Sequence, residues 1–249
     1  MLQREDAFTV KAFDCRPDGG MKLNALMQYL QEAAACHAEQ LGFGLADMSR
    51  RNCLWVLANL RLEISREPQW MDHLTIRTWP SGHTRLAATR EFIGTDADGS
   101  ELFRAGSEWM VLDRQSGRPQ NLVRFGLHLP QTGLKALSAP LHRLKPVEGC
   151  VPTYSLQVPF SALDFNGHVN NTEYVRWALD GLSLQRGQLR QVRAAHVTYL
   201  AEAFQGDQIE VLVSPGSNGR VSILERRSGG PVAADVCLLE IACRMTPDG

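Results

Sequence analysis

The chain has 249 residues, 44% of them hydrophobic and 21% charged, with a formal net charge of -1. This size supports a full core in one domain or two modest ones, and the near-neutral charge supplies no long-range field for nucleic acid or an anionic membrane. No apolar run reaches the ~18 residues of a membrane span, and MLQREDAFTV lacks the apolar stretch of a secretory signal, so a cytoplasmic protein is expected.

In chain order, DAFTVKAFD predicts a strand. Asn24 to Leu41 predicts a helix, because Leu26, Tyr29, Leu30, Ala33 and Ala34 recur at three and four residues and Gly42 and Gly44 follow as stop signals. Four strands are expected next, at CLWVLANLRLEIS, HLTIRTWP, RLAATREFIGT and ELFRAGSEWMVLD. Alternation places Leu60, Leu62 and Ile64 on one face, and Asp98-Gly99 reads as a tight turn. Residues 125–150 contain three prolines and little periodicity, which marks a connector with room for a short helix.

The order then repeats: a strand at TYSLQVPF, a polar turn, a helix over Thr172 to Leu184, and strands at AAHVTYLAEA, DQIEVLVSP, GRVSILERR and VAADVCLLEIACR. At a fixed offset of 135 residues, RLEISREPQWMDHLTI lies on HVTYLAEAFQGDQIEV without gaps, so that Ile64 falls on Tyr199, Glu67 on Glu202 and Asp72 on Asp207. Between the helices, Tyr29 is matched with Tyr174. A duplicated α+β fold follows, each half a curved antiparallel sheet wrapped around one long helix. The expected divisions are 1–130, a connector over 131–150, and 151–249.

The turn SALDFNGHVNN carries Asp164, Asn166 and His168 at alternate positions. Asn170 or Asn171 then stands ready to cap the next helix. A helix N-terminus offers free N–H groups to a developing negative charge. The comparable place in the first half reads RPDGGMKLNAL, without a histidine. A scaffold present twice with a polar cluster present once points to chemistry in the second half. Glu202, at the end of the VTYL run, is the next candidate, although Glu67 at the same relative place shows that a glutamate there need not be catalytic.

No nucleophile elbow, phosphate loop, dinucleotide fingerprint or H-E-x-x-H occurs. The seven histidines lack metal spacing, and the six cysteines form no C-x-x-C pair, so no metal, no cofactor and reduced core thiols are expected. His37 reads as a packed helix residue, and the five tryptophans as core or groove lining.

LDFNGHVNNTEYVRW resembles the signature of the acyl-acyl carrier protein thioesterases, bacterial relatives of the plant enzymes that terminate fatty acid synthesis. LNALMQYLQEAAACHAEQLGFG, LWVLANLRLEISREPQWMDHLTIRTWPSG and SEWMVLDRQSGRP resemble the same family. H-V-N-N-x-x-Y alone occurs in other hotdog thioesterases; the combination is more specific.

The resemblance implies a double (tandem) hotdog fold. It places Asp164, Asn166 and His168 on the family's Asp-x-Asn-x-His residues and Glu202 on its active-site carboxylate. The following position, often cysteine in plant members, is Ala203 here, which excludes a cysteine acyl-enzyme at that place and favours attack by water. Glu202 or His168 would be the base, Asn166 would help position water and thioester, and Asp164 would hold the network in register. Backbone N–H groups at the start of the helix would take the oxyanion. The implied partner is an acyl carrier protein bearing a phosphopantetheine-linked fatty acyl chain, with the chain in a groove of the first half and the protein a monomer or homodimer. Arg176, Arg186, Arg190 and Arg193 cluster near the active half and could meet an acidic carrier. The alternatives are an acyl-CoA thioesterase on the same fold, a non-catalytic acyl-binding hotdog protein and, more weakly, a dehydratase.

Overall fold

The computed structural model describes residues 2–126, 129–187, 189–216, 220–228 and 234–245, which leaves His128 outside the described residues. The chain divides into two compact units, Met1–Leu141 and His142–Gly249.

Unit 1 contains β1 (Arg4–Thr9), α1 (Leu23–Gln40), α2 (Leu45–Arg50), β2 (Cys53–Ile64), β3 (His73–His83), β4 (Ala88–Asp96) and β5 (Glu101–Asp113). The strands pair antiparallel in the order β1-β3-β4-β5-β2. The helical periodicity is realised: α1 buries Leu23, Leu26, Met27, Leu30, Ala33, Ala34 and His37. Alternate residues Leu62 and Ile64 on β2, and Leu74 and Ile76 on β3, are buried as well. Each such side chain contributes roughly 1.5–3 kcal/mol relative to exposure. His37 is fully buried and its Nδ1 lies 3.0 Å from Arg90 Nη1. Burial lowers the Arg90 guanidinium to about 10.

Three details differ from expectation. DAFTVKAFD does not stay extended; β1 stops at Thr9 and Ala12–Asp14 forms a 3₁₀ turn, because Val10 is tied off by backbone bonds with Asp72 and Met71. Past Gly42, the short α2 forms and sinks Met48 among Phe43, Cys53, Val111, Leu122 and Leu129. Trp70 is 58% exposed, neither core nor groove lining.

The described part of the connector holds no helix and is anchored by polar contacts. Trp79 Nε1 donates to the Leu134 carbonyl at 3.1 Å, and the buried Glu91 carboxylate accepts from Lys135 Nζ at 3.0 Å and from the Ala136 N–H at 3.1 Å. Beyond Leu141 the chain belongs to unit 2, where Leu144 packs on Leu212, Leu224 and Leu238.

Unit 2 contains β6 (Val151–Gln157), α3 (Asn171–Arg186), β7 (Leu189–Tyr199), β8 (Gln208–Val213), β9 (Arg220–Ser228) and β10 (Ala234–Met245). Its order, β7-β10-β9-β8-β6, is the order of unit 1 strand for strand. Gly181 lets α3 lie close on β8, since a Cβ there would come within 2.7 Å of Val211. The helix caps correct one detail of the internal match. With Lys22 and Asn170 as equivalent N-caps, Tyr174 takes the place of Leu26, and Tyr29 corresponds to Trp177. Among the described residues, no helix is long and apolar enough to cross a membrane.

Candidate active site

The polar turn is a closed loop pinned at both ends. Leu163 and Val169 form a β-bridge, the Asp164 N–H donates to the His168 carbonyl at 2.9 Å, and the Gly167 N–H donates to the Asp164 carbonyl at 3.0 Å. Gly167 has φ +80°, a conformation that residues with a Cβ rarely adopt. The Asp164 carboxylate turns inward on the loop, with Oδ1 accepting the Asn166 N–H at 2.8 Å and Oδ2 lying 3.5 Å from Asn166 Nδ2. Asp164 therefore builds the turn, and the turn presents Asn166 and His168.

Glu202 reaches the turn from the loop after β7. Its Oε1 lies 2.9 Å from His168 Nδ1, with the two side chains 39% and 25% exposed. The contact is braced on the Glu202 side. The Val169 N–H donates to the Ala203 carbonyl at 3.0 Å, the Ala203 N–H donates to Tyr174 Oη at 3.0 Å, and Arg227 Nη1 donates to the Glu202 carbonyl at 3.1 Å. Phe204 stacks edge-on against the His168 ring at 5.1 Å between centroids. A carboxylate accepting from Nδ1–H selects the tautomer whose Nε2 lone pair is free to accept a proton.

The start of α3 is largely committed. Asn170 caps it, its Oδ1 accepting from the Thr172 N–H at 3.0 Å and from Thr172 Oγ1 at 2.9 Å, while the Glu173 N–H returns to the Asn170 carbonyl at 2.9 Å. The expected bank of oxyanion donors thus shrinks; of the first three N–H groups of α3, that of Asn171 is the one with no cap or turn acceptor among the described contacts. Position 203 is fully buried.

Unit 1 carries the same turn, bond for bond. The Arg16 N–H donates to the Gly20 carbonyl at 2.8 Å, Gly19 to Arg16 at 3.0 Å, Met21 to Pro68 at 2.8 Å and Lys22 to Asp14 at 2.8 Å, with Gly19 at φ +85°. Arg16 stands where unit 2 has Asp164, Asp18 for Asn166, and Gly20 for His168. Glu67, in the place of Glu202, is gripped by Arg16 Nη1 and Nη2 at 2.7 and 2.6 Å. The one-sidedness legible in the sequence is therefore a replacement of the histidine–carboxylate pair by an ion pair on an unchanged backbone.

Two of the arginines that cluster near the active half are otherwise engaged. Arg176 pairs with Glu173, and Arg186 donates to the Ser214 and Pro215 carbonyls. The Arg190 side chain lies outside the described residues. The sequence reading did not single out the buried Glu225, the bond of Tyr174 to the Ala203 N–H or the bond of Tyr199 to the Asn171 carbonyl. The available signal was Glu225 in phase with the buried Val221 and Ile223 of β9.

Comparison with known proteins matches residues 2–124 to the acyl-ACP thioesterase N-terminal domain and residues 151–229 to the acyl-ACP thioesterase C-terminal domain. An oleoyl-acyl carrier protein thioesterase of Coriandrum sativum is 27% identical over 86% of this chain and 63% of the relative. The chain thus spans less than two thirds of that relative's length. An acyl-ACP thioesterase structure from Bacteroides thetaiotaomicron is 25% identical with a TM-score of 0.80, covering 97% of this chain and 98% of the other. The 12:0-ACP thioesterase of Umbellularia californica superposes with a TM-score of 0.83 at 21% identity over 99% and 98% of the two chains, a likeness of fold.

Proposed function

Since the chain belongs to the acyl-ACP thioesterase family, we propose that it hydrolyses fatty acyl thioesters of acyl carrier protein, with His168 as general base. The observation that carries this reading is the 2.9 Å contact of His168 Nδ1 with Glu202 Oε1, on a turn where Nε2 accepts no hydrogen bond from the described residues. His168 Nε2 takes a proton from water as its oxygen bonds to the thioester carbon. The carbonyl oxygen becomes an oxyanion, met by the Asn171 N–H and the Asn166 amide. The C–S bond then breaks, and the imidazolium returns its proton to the departing phosphopantetheine thiolate. The products are the free fatty acid and the carrier with its free thiol. Glu202 holds the ring and stabilises the imidazolium, and Asp164 keeps Asn166 and His168 in register. Ala203 leaves no thiol at the position next to Glu202, so water attacks directly.

The test is a hydrolysis screen of the purified protein over acyl-ACP chain lengths, with each acyl group also offered as its CoA thioester and the products identified. Faster release of free acid from the carrier-bound substrate is expected. Preference for the CoA ester would reassign the substrate, and binding of acyl-ACP without release would make the protein a carrier-binding module.

A further inference from the structure

Beneath the turn, four interior positions change character between the two units. In unit 1 they are apolar: Leu26 on α1, Ile64 opposite Phe103 in the β2–β5 pair, and Gly94 opposite Phe103 in the β4–β5 pair. The Phe103 ring fills the space over Gly94, so that a Cβ there would lie 2.1 Å from it. In unit 2 the same register sets Tyr199 opposite Cys237 in the β7–β10 pair and Glu225 opposite Cys237 in the β9–β10 pair. Tyr174 replaces Leu26.

Glu225 is 1% exposed, and both carboxyl oxygens are buried without a hydrogen-bond partner. The Cys237 thiol is close enough to interact with the Glu225 carboxyl, with the thiol itself pushed up by burial and by Glu225. A thiol is a weak donor and a poor substitute for a full hydrogen-bond partner. Buried acids are ordinarily paired, so an orphaned one is costly to keep. Unit 1 shows that this fold can fill the same place with apolar groups.

The tyrosines connect this cluster to the site. Tyr174 Oη accepts the Ala203 N–H at 3.0 Å, Tyr199 Oη donates to the Asn171 carbonyl at 3.0 Å, and the two rings lie 6.0 Å apart, edge to face. Burial, with Glu225 nearby, raises both phenols, which stay neutral. Burial likewise raises the Glu225 carboxyl well above its ordinary range.

We propose that Glu225 is a positioning residue for the hydrolysis: across the strands from Cys237, which faces Tyr199, it keeps the interior beneath Tyr174 and Tyr199 polar, and the hydroxyls of those two tyrosines hold the Ala203 N–H and the Asn171 carbonyl, and through them the approach of Glu202 to His168. Glu225 touches neither substrate nor the reacting atoms, and its role rests on the assignment of the reaction to the His168–Glu202 pair. The cost of the orphaned acid is explained by this role. An apolar filling would be more stable but would leave the Glu202–Ala203 segment and the start of α3 without their shared support.

The experiment compares wild type with Glu225→Leu, Glu225→Gln and Tyr174→Phe, measuring kcat and KM on acyl-ACP, melting temperature, and the His168 ring resonances without substrate. Glu225→Leu and Tyr174→Phe are expected to lower kcat on the order of 10-fold to 100-fold, the loss that misplacement of a reacting group brings, with KM little changed and the His168 resonances moved. Glu225→Leu should melt no lower than wild type, and Glu225→Gln should recover most of kcat. Folded Glu225→Leu and Tyr174→Phe with wild-type kcat and unmoved His168 resonances would overturn the proposal. If Glu225→Leu does not fold, Tyr174→Phe decides by the same two readouts. If wild type releases no acid from any thioester, the proposed reaction fails, and the His168 resonances alone decide whether the cluster positions the pair.

Discussion

Arg16 grips Glu67 through two hydrogen bonds of 2.6 and 2.7 Å at the place in unit 1 where His168 meets Glu202 in unit 2. The two turns share their backbone bonds and a left-handed glycine, so the difference between them is confined to side chains. One pair sets an imidazole against a carboxylate; the other holds a permanent cation against one. The contrast is what favours the unit 2 turn as the proposed site of the reaction.

Replacing His168 by alanine removes the proposed base and should lower kcat by about 10² to 10⁴. Glu202→Gln keeps an acceptor for Nδ1–H and should cost less than His168→Ala. Steady-state rates on one acyl-ACP check both, and an equal or greater loss for Glu202→Gln would transfer the role of base to Glu202.

Ala203→Cys should leave turnover unchanged and add no sensitivity to thiol alkylation. Position 203 is fully buried, with its N–H on Tyr174 and its carbonyl on Val169. Comparing the rates of iodoacetamide inactivation of wild type and variant checks this. Rapid inactivation unique to the variant would mean that the side chain reaches the substrate.

In unit 1, Glu67→Gln should destabilise the fold by about 3 kcal/mol, because it breaks a largely buried ion pair from one side. The guanidinium would then lean on the more exposed Asp18, at 3.3 Å. Arg16→Met combined with Glu67→Leu should recover most of the loss. Urea titration reads both effects, while kcat of the folded variants should be that of wild type. A selective fall in kcat would give the unit 1 turn a part in the reaction.

Glu225 gives stability a defined pH dependence. Burial raises its carboxyl in the folded state above the ordinary value of 4.5, so above that pH the folded state holds a proton that the unfolded state has lost. Its contribution is therefore fully present at acid pH and declines as pH rises toward the folded value. Glu225→Gln removes the group, so its stability relative to wild type should improve with rising pH, by at most about 1.4 kcal/mol per unit. Urea unfolding at a series of pH values checks this; a difference that stays flat would mean that Glu225 is ionised in the folded protein.

The sequence by itself determined the duplicated order of elements, the span of both long helices to within a residue or two, and the asparagine pair from which the cap of α3 is drawn. It also placed Asp164, Asn166 and His168 together, because they lie within one turn whose conformation is written in adjacent residues. The family likeness brought Glu202 to the same place from a distant segment. Only the tertiary structure decided that Glu202 meets Nδ1, that Arg16 neutralises Glu67, that position 203 faces inward, and that Glu225 and Cys237 sit opposite one another under the site. Those facts depend on strand register and on which rotamer packing allows, and both are set by contacts between residues far apart in the chain. Periodicity shows which face a residue occupies, and the folded register supplies its neighbour.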